Sequence, residues 1–276
     1  MGLKVNTNVD SLNILRNLND TNTKVSTSLK RLSTGYRINS AKDDASGYAI
    51  ANSFKAKVSS MKVASQNASE AQSMLQTADG AYTKVNDILV RMKSLATQAS
   101  SGQTENLSTM NSEFKALQDE IQRIAQSTEY GAKKLVDGSL ETNGVTFQVG
   151  ATNATNNQIN IKFKGAESGD LAVSSGTINI NTAGGAQAAM DSIDTALTSI
   201  NAYMGEVGSY QNRLQYTIEN LAVSIENFQA SESTIRDVDM ASEVTEFTKN
   251  QILQQSGMAM LSQSNQAPQQ VLSLLG

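Results

Sequence analysis

Carboxylates are the residues of this chain whose spacing comes nearest to catalysis or metal binding. The 276 residues include no Cys and no His. Zinc, iron-sulfur and Ser-His-Asp chemistries therefore lack their side chains. Asp43 and Asp44 are adjacent, and adjacent residues on a helix do not face each other. They read as capping and dipole-compensating groups at a helix start, with a share in subunit contacts. Asp237, Asp239 and Glu243 form a second acidic group. So near a helix start they read as caps, or as partners for bases such as Arg31 or Arg37, rather than as a cation site. Met residues in the apolar seams read as core filler. Ser and Thr in 142–186 could carry O-glycans, or be ordinary polar surface. With no nucleophile–base pair and no pocket-forming element, the chain does not read as an enzyme, and no catalytic, cofactor or metal residue is assigned.

The elements explain why chemistry is scarce. Met61, Ala64, Ala68, Ala71, Leu75, Ala78, Tyr82, Val85, Leu89, Met92, Ala96 and Ala99 recur at steps of three and four. This is a heptad seam on one long helix. At 1.5 Å per residue it is roughly 58 Å long, whereas a compact chain of this length would be roughly 48 Å across. The fold class expected is mainly α: an elongated bundle of long heptad-patterned helices with a small β-hairpin region, its N- and C-terminal helices paired. Ser40 and Asp43 suggest a capping box that starts the long helix near Ala41, and Gly102 ends it. Thr104 can cap the next helix, with seam Leu107, Met110, Phe114, Leu117, Ile121 and Ile124, stopping near Tyr130-Gly131. Alternation at Val145-Phe147-Val149 and Ile159-Ile161-Phe163, with a shorter candidate at Ile178-Ile180, predicts strands within 142–180. A third long seam runs from Met190 to Ile235.

The two ends carry weaker seams. One is Leu15, Leu18, Asn22, Val25, Leu29 and Leu32, closed by Gly35 as a C-terminal cap. The other is Val244, Phe247, Gln251, Gln254, Met258 and Leu261, followed by Val271, Leu272, Leu274 and Leu275. The expected domains are 1–40 plus 238–276, a discontinuous terminal pair, and 41–237, a central helical rod. The net charge of −4 offers no basic surface for nucleic acid. No run is long enough for a membrane span, and the start of the chain lacks a secretory signal. Alone, these features suggest a cytosolic protein.

Two stretches change that reading. Ser28-Leu-Lys-Arg-Leu-Ser-Thr-Gly-Tyr-Arg-Ile-Asn-Ser-Ala-Lys-Asp-Asp-Ala-Ser-Gly-Tyr-Ala-Ile-Ala51, with Val5-Asn6-Thr7-Asn8 and Ser11-Leu12 before it, resembles the N-terminal signature of bacterial flagellin. Arg236-Asp237-Val238-Asp239-Met240-Ala241-Ser242-Glu243, Gln251-Ile252-Leu253, Gly257 and Asn265 through Leu275 resemble the flagellin C-terminus. The short central β-like region implies the minimal form, without outer variable domains. The resemblance implies a structural subunit that self-assembles into the flagellar filament for swimming motility. It implies export, unfolded, by the flagellar type III apparatus without a cleaved signal, and an extracellular location. Implied partners are copies of the chain, an export chaperone, and the filament cap and hook-junction proteins. Implied assembly residues are Leu18, Val25, Leu29, Leu32, Val244, Phe247, Met258, Leu261, Val271, Leu272, Leu274 and Leu275. Leu89 to Leu95 resembles the segment that the Toll-like receptor for flagellin recognises. Arg91 and Leu95 match it, while Val90 replaces Gln and Ser94 replaces Glu, which implies weakened recognition. A hook-filament junction protein is the nearest alternative. A chemoreceptor cytoplasmic hairpin shares the Ala-, Ser- and Gln-rich heptads but not the β-like insert.

Overall fold

The computed structural model describes residues 8–101 and 106–275, with side chains through 266. Helix α1 spans Val9–Thr34, α2 Ala45–Ser100, α3 Leu107–Ser127, α4 Ala183–Arg236 and α5 Met240–Leu275. Strands β1 (Glu129–Tyr130) and β2 (Lys133–Lys134) form one antiparallel pair, and β3 (Val145–Gln148) and β4 (Gln158–Ile161) another. The chain divides into two compact units, Met1–Ala56 with Asn227–Gly276, and Lys57–Glu226. The divisions fall inside α2 and α4, whereas the expected divisions at 40/41 and 237/238 coincide with the breaks between α1 and α2 and between α4 and α5.

In the second unit all twelve α2 seam positions from Met61 to Ala99 are buried. Six of the twelve are Ala, and α2 meets α4 through Tyr82–Tyr203 at 6.0 Å between ring centres. Lys93 pairs with Asp194 at the edge of that contact. Arg91 reaches α3, its Nε and guanidinium nitrogen donating to Glu113 Oε1 at 2.9 and 2.6 Å. α4 buries Ala186, Ala189, Ile193, Ala196, Ile200, Val207, Leu214 and Leu221.

The buried stripe of α3 is Asn111, Phe114, Gln118, Ile121 and Ala125. It shares Phe114 and Ile121 with the apolar seam but replaces Met110, Leu117 and Ile124 with polar or smaller residues. Asn111 and Gln118 hold the segment before α4. Asn111 Oδ1 accepts from the Ile180 N–H at 3.1 Å, and Gln118 Nε2 donates to the Val173 and Ile178 carbonyls at 2.8 and 3.3 Å. Ile178 and Ile180 are thus buried without forming the expected strand. Two side chains, and a turn bond from the Ile178 N–H to the Ser174 carbonyl, take up these backbone groups in place of a ladder.

Other boundaries also move. α3 ends at Ser127, and Glu129–Tyr130 turn back through Gly131 (φ +63°) to pair with Lys134 and Lys133. α4 begins seven residues before Met190. The Ser40–Asp43 pair does not cap α2: Asp43 Oδ2 accepts from the Asn39 and Ser40 N–H groups and closes a turn upstream. Asp44 is the cap, its Oδ1 accepting from the Gly47 N–H at 2.9 Å. The expected Thr104 cap and Gly102 stop lie outside the described residues. The strands expected near 145 and 159 are present and pair with each other, Val145 opposite Ile161 and Phe147 opposite Ile159.

Tyr82 ties α2 to the β region: its hydroxyl donates to the Lys164 carbonyl at 2.7 Å. Burial raises its pKa well above the tyrosine range. The neutral phenol therefore favours the folded state below pH about 10, the unfolded value, and that contribution is lost as pH rises through the folded value. Tyr82→Phe is expected to cost about 1 kcal/mol at pH 8 through the lost hydrogen bond. It should also remove part of the destabilisation expected at about pH 11, as read from urea unfolding midpoints.

Candidate assembly interface

Unit one is built on the α1–α5 pair. Asn8 starts α1, its Oδ1 accepting from the Ser11 N–H at 3.0 Å. Gly35 ends it in the left-handed region (φ +72°), where a residue with Cβ would be strained. The chain then crosses the α4–α5 break. Arg37 N donates to the Arg236 carbonyl at 2.7 Å and Val238 N to the Gly35 carbonyl at 3.0 Å, around a Tyr36–Asp237 bridge. The Arg236 guanidinium lies 4.3 Å from the Tyr36 ring centre. Asp239 caps α5, accepting from the Ala241 N–H at 3.0 Å, and Ser233 donates to Asp237 at 2.6 Å. Glu243 pairs with Arg31 at 3.5 Å. The acidic group is thus occupied in a cap (Asp239), a hydroxyl bond (Asp237) and an ion pair (Glu243).

The two helices run antiparallel. Asn8 Nδ2 donates to the Ser264 carbonyl at 3.0 Å, Gln254 Nε2 to Asn22 Oδ1 at 2.7 Å, and Arg31 meets Glu243. The covered positions of α1 are Ser11, Ile14, Leu18, Thr21, Val25, Ser28 and Leu32, with Thr27 and Arg31 beside them; those of α5 are Glu243, Phe247, Asn250, Gln254, Gly257, Leu261 and Ser264. Both sets recur at three and four. Gly257 lets the helices close up, since a Cβ there would stand 3.3 Å from Leu18 Cδ1.

This seam is half polar, and large apolar side chains lie outside it. Leu15 is 43% exposed, Leu29 57%, Val244 49% and Met258 50%. The register sets Leu29 level with Val244, and Leu15 level with Met258, on one flank. On the other, Leu253 and Met260 line a groove of about 440 Å³ beside Asn17 and Lys24. Of the expected assembly residues, Leu18, Val25, Leu32, Phe247 and Leu261 lie half-buried in the seam, while Leu29, Val244 and Met258 face outward. The side chains of Val271, Leu272, Leu274 and Leu275 lie outside those described. Arg91 is exposed, but Leu95 is buried at 2% exposure within its unit. Buried Ser28 and Asn250 were missed because an apolar-stripe search passes over polar residues, although their spacing is heptadic. Among the described residues no helix is long and apolar enough to cross a membrane.

The two ends that meet here are also the regions that match known sequences. The model of the bacterial flagellin N-terminal helical region matches residues 5–141, and that of the bacterial flagellin C-terminal helical region matches 190–275. Flagellin of Bacillus subtilis is 37% identical over 99% of this chain and 100% of its own length. The chain belongs to the bacterial flagellin family. Flagellin of Halalkalibacterium halodurans is 39% identical over 98% of this chain and 99% of its own, and the flagellar filament 30.7 kDa core protein of Treponema maltophilum is 35% identical over the same shares. A crystal structure of Bacillus cereus flagellin aligns with 56% of this chain and 88% of that chain at 28% identity, with a TM-score of 0.49. As a flagellin, the protein is a structural subunit of the flagellar filament, outside the cell, and not an enzyme. The junction-protein alternative is not favoured by these relatives.

Proposed function

We propose that the chain self-assembles through the outward flanks of α1 and α5, and that neighbouring copies cover the side chains its own seam leaves exposed. One observation carries this reading: half of the seam between the two helices is polar, while Leu15, Leu29, Val244 and Met258 face out. A lone helix pair gains by putting its largest apolar groups in the seam. The reverse arrangement suits a pair that is buried on its flanks as well. In this reading residues 1–40 plus 238–276 form the inner tube and 41–237 the outer. Leu18, Val25, Leu32, Phe247 and Leu261 set the pair.

Before assembly, exposed apolar helices invite premature association. An export chaperone that takes about 240–276 by a helix-in-groove mode would prevent it. Passage through the type III channel, unfolded and without a cleaved signal, suits a chain with no Cys and one Pro, which needs no disulfide and little proline isomerisation. Filament cap and hook-junction proteins would meet the same terminal helices at the two ends of the polymer. Recognition by the Toll-like receptor would rest on Arg91, with Leu95 acting from within the packing of α2.

Ordering costs about 1–2 kcal/mol per residue of backbone, and a half-polar seam offsets little of it. In free monomer α1 and α5 are therefore expected to open, and a protease should trim them to a fragment of roughly 41–237. In filaments the same bonds should resist. Equal cleavage of α1 and α5 in monomer and filament, or normal filaments grown from the trimmed fragment, would refute this reading.

A further inference from the structure

The nine described methionines divide sharply. Met61, Met74 and Met92 are at most 6% exposed, and Met110, Met190 and Met204 are partly covered by the core of the second unit. Met240, Met258 and Met260 are 48, 50 and 58% exposed, and all three lie on α5. Met258 stands on the flank with Val244, and Met260 lines the groove on the other flank with Leu253. Both apolar flanks of α5 thus carry an accessible thioether, whereas the other described methionines are wholly or partly covered.

We propose that Met240, Met258 and Met260 form an oxidation site through which peroxide controls assembly; this rests on the assembly reading above. The methionine sulfur attacks one oxygen of hydrogen peroxide and the O–O bond breaks. The sulfur is oxidised by two electrons to the sulfoxide, and the peroxide is reduced to water, its departing hydroxide taking up the proton. The product is polar and chiral where the thioether was apolar and pliable. At Met258 and Met260 it places a strong acceptor on surfaces that neighbours must dry. In the free subunit the second unit is less open to attack, because Met61, Met74 and Met92 are buried and Met110, Met190 and Met204 are partly covered. Once neighbours cover α5, the sulfurs are shielded too, so oxidation acts on subunits before they join and spares those already joined. Sulfoxides are enzymatically reducible, which makes the block reversible.

The test uses full-length chain, hydrogen peroxide, sonicated filament seeds and peptide mass spectrometry. In monomer, Met240, Met258 and Met260 should gain oxygen at least about tenfold faster than Met61, Met74 and Met92, in line with exposure. The critical concentration for seed elongation should rise by about tenfold or more, because both flanks then bury less apolar surface against their neighbours. Methionine sulfoxide reductase should restore it. The variant M240L/M258L/M260L should elongate alike with and without peroxide treatment, while the thermal transition of the second unit stays fixed throughout. Oxidised parent that elongates as well as untreated parent, or a Leu variant that treatment impairs as much as it impairs the parent, would overturn the proposal and leave the assembly reading standing. Equal oxidation of Met258 and Met260 in monomer and filament would overturn the assembly reading itself, and the proposal with it.

Discussion

Changing Leu15, Leu29 and Val244 to Gln together is expected to leave a subunit with the parent's helical content that no longer polymerises at concentrations where the parent does. Each side chain is about half exposed in the α1–α5 pair. Full burial of such a residue is worth about 1.5–3 kcal/mol, so the remaining half is worth about 1 kcal/mol each. Losing three such contributions, about 3 kcal/mol per subunit, raises the critical concentration about a hundredfold. Gln is a good helix former, and none of the three positions lies in the α1–α5 seam, so circular dichroism should match the parent. A critical concentration unchanged within about twofold would mean that these flanks are not where copies meet, since removing even one such side chain should shift it more.

The other large effect lies inside the second unit. Leu89 is fully buried in the core to which α2, α3 and α4 all contribute. Leu89→Asp puts a carboxylate there with no partner, at a cost of several kcal/mol unless it takes up a proton. Domains of this kind are stable by only about 5–15 kcal/mol, so cooperative thermal unfolding should be lost or shifted far down at pH 7. Burial raises the pKa of the new carboxyl in the folded state, so the deficit against the parent should shrink as pH falls toward 5. A variant with the parent's melting curve at pH 7 would contradict the packing described for α2.

These two predictions also separate what could be read from the residues and what could not. Every α2 seam position named from spacing is buried, because α2 has one apolar face and uses it within its own chain. In α1 and α5 spacing finds Leu18, Val25, Leu32, Phe247 and Leu261 but groups them with Leu15, Leu29, Val244 and Met258, which point outward. Periodicity detects apolar groups; it does not tell whether the chain itself or another copy will cover them. The same rule explains α3, where Asn111 and Gln118 occupy core positions because a strandless segment needs hydrogen-bond partners. The strand expected at Ile178-Ile180 is absent for that reason: burial of both residues was legible, but the source of their backbone bonds was not. Asp43 and Asp44 do stand at a helix start, yet their roles divide only once the turn that Asp43 closes is seen.

The polar seam between α1 and α5 gives the subunit an asymmetry in time. Ser11, Thr21, Ser28, Asn250 and Ser264 find water almost as good a neighbour as one another, so parting the two helices of a lone subunit takes little work. After both flanks are covered, the same parting must also expose the apolar groups of adjoining copies. The motion that is easy for a chain in transit becomes hard for a chain in place. A filament assembled in the way proposed above would behave as a ratchet: subunits would enter as pliable threads, stiffen on arrival, and leave from an end where a flank is still bare.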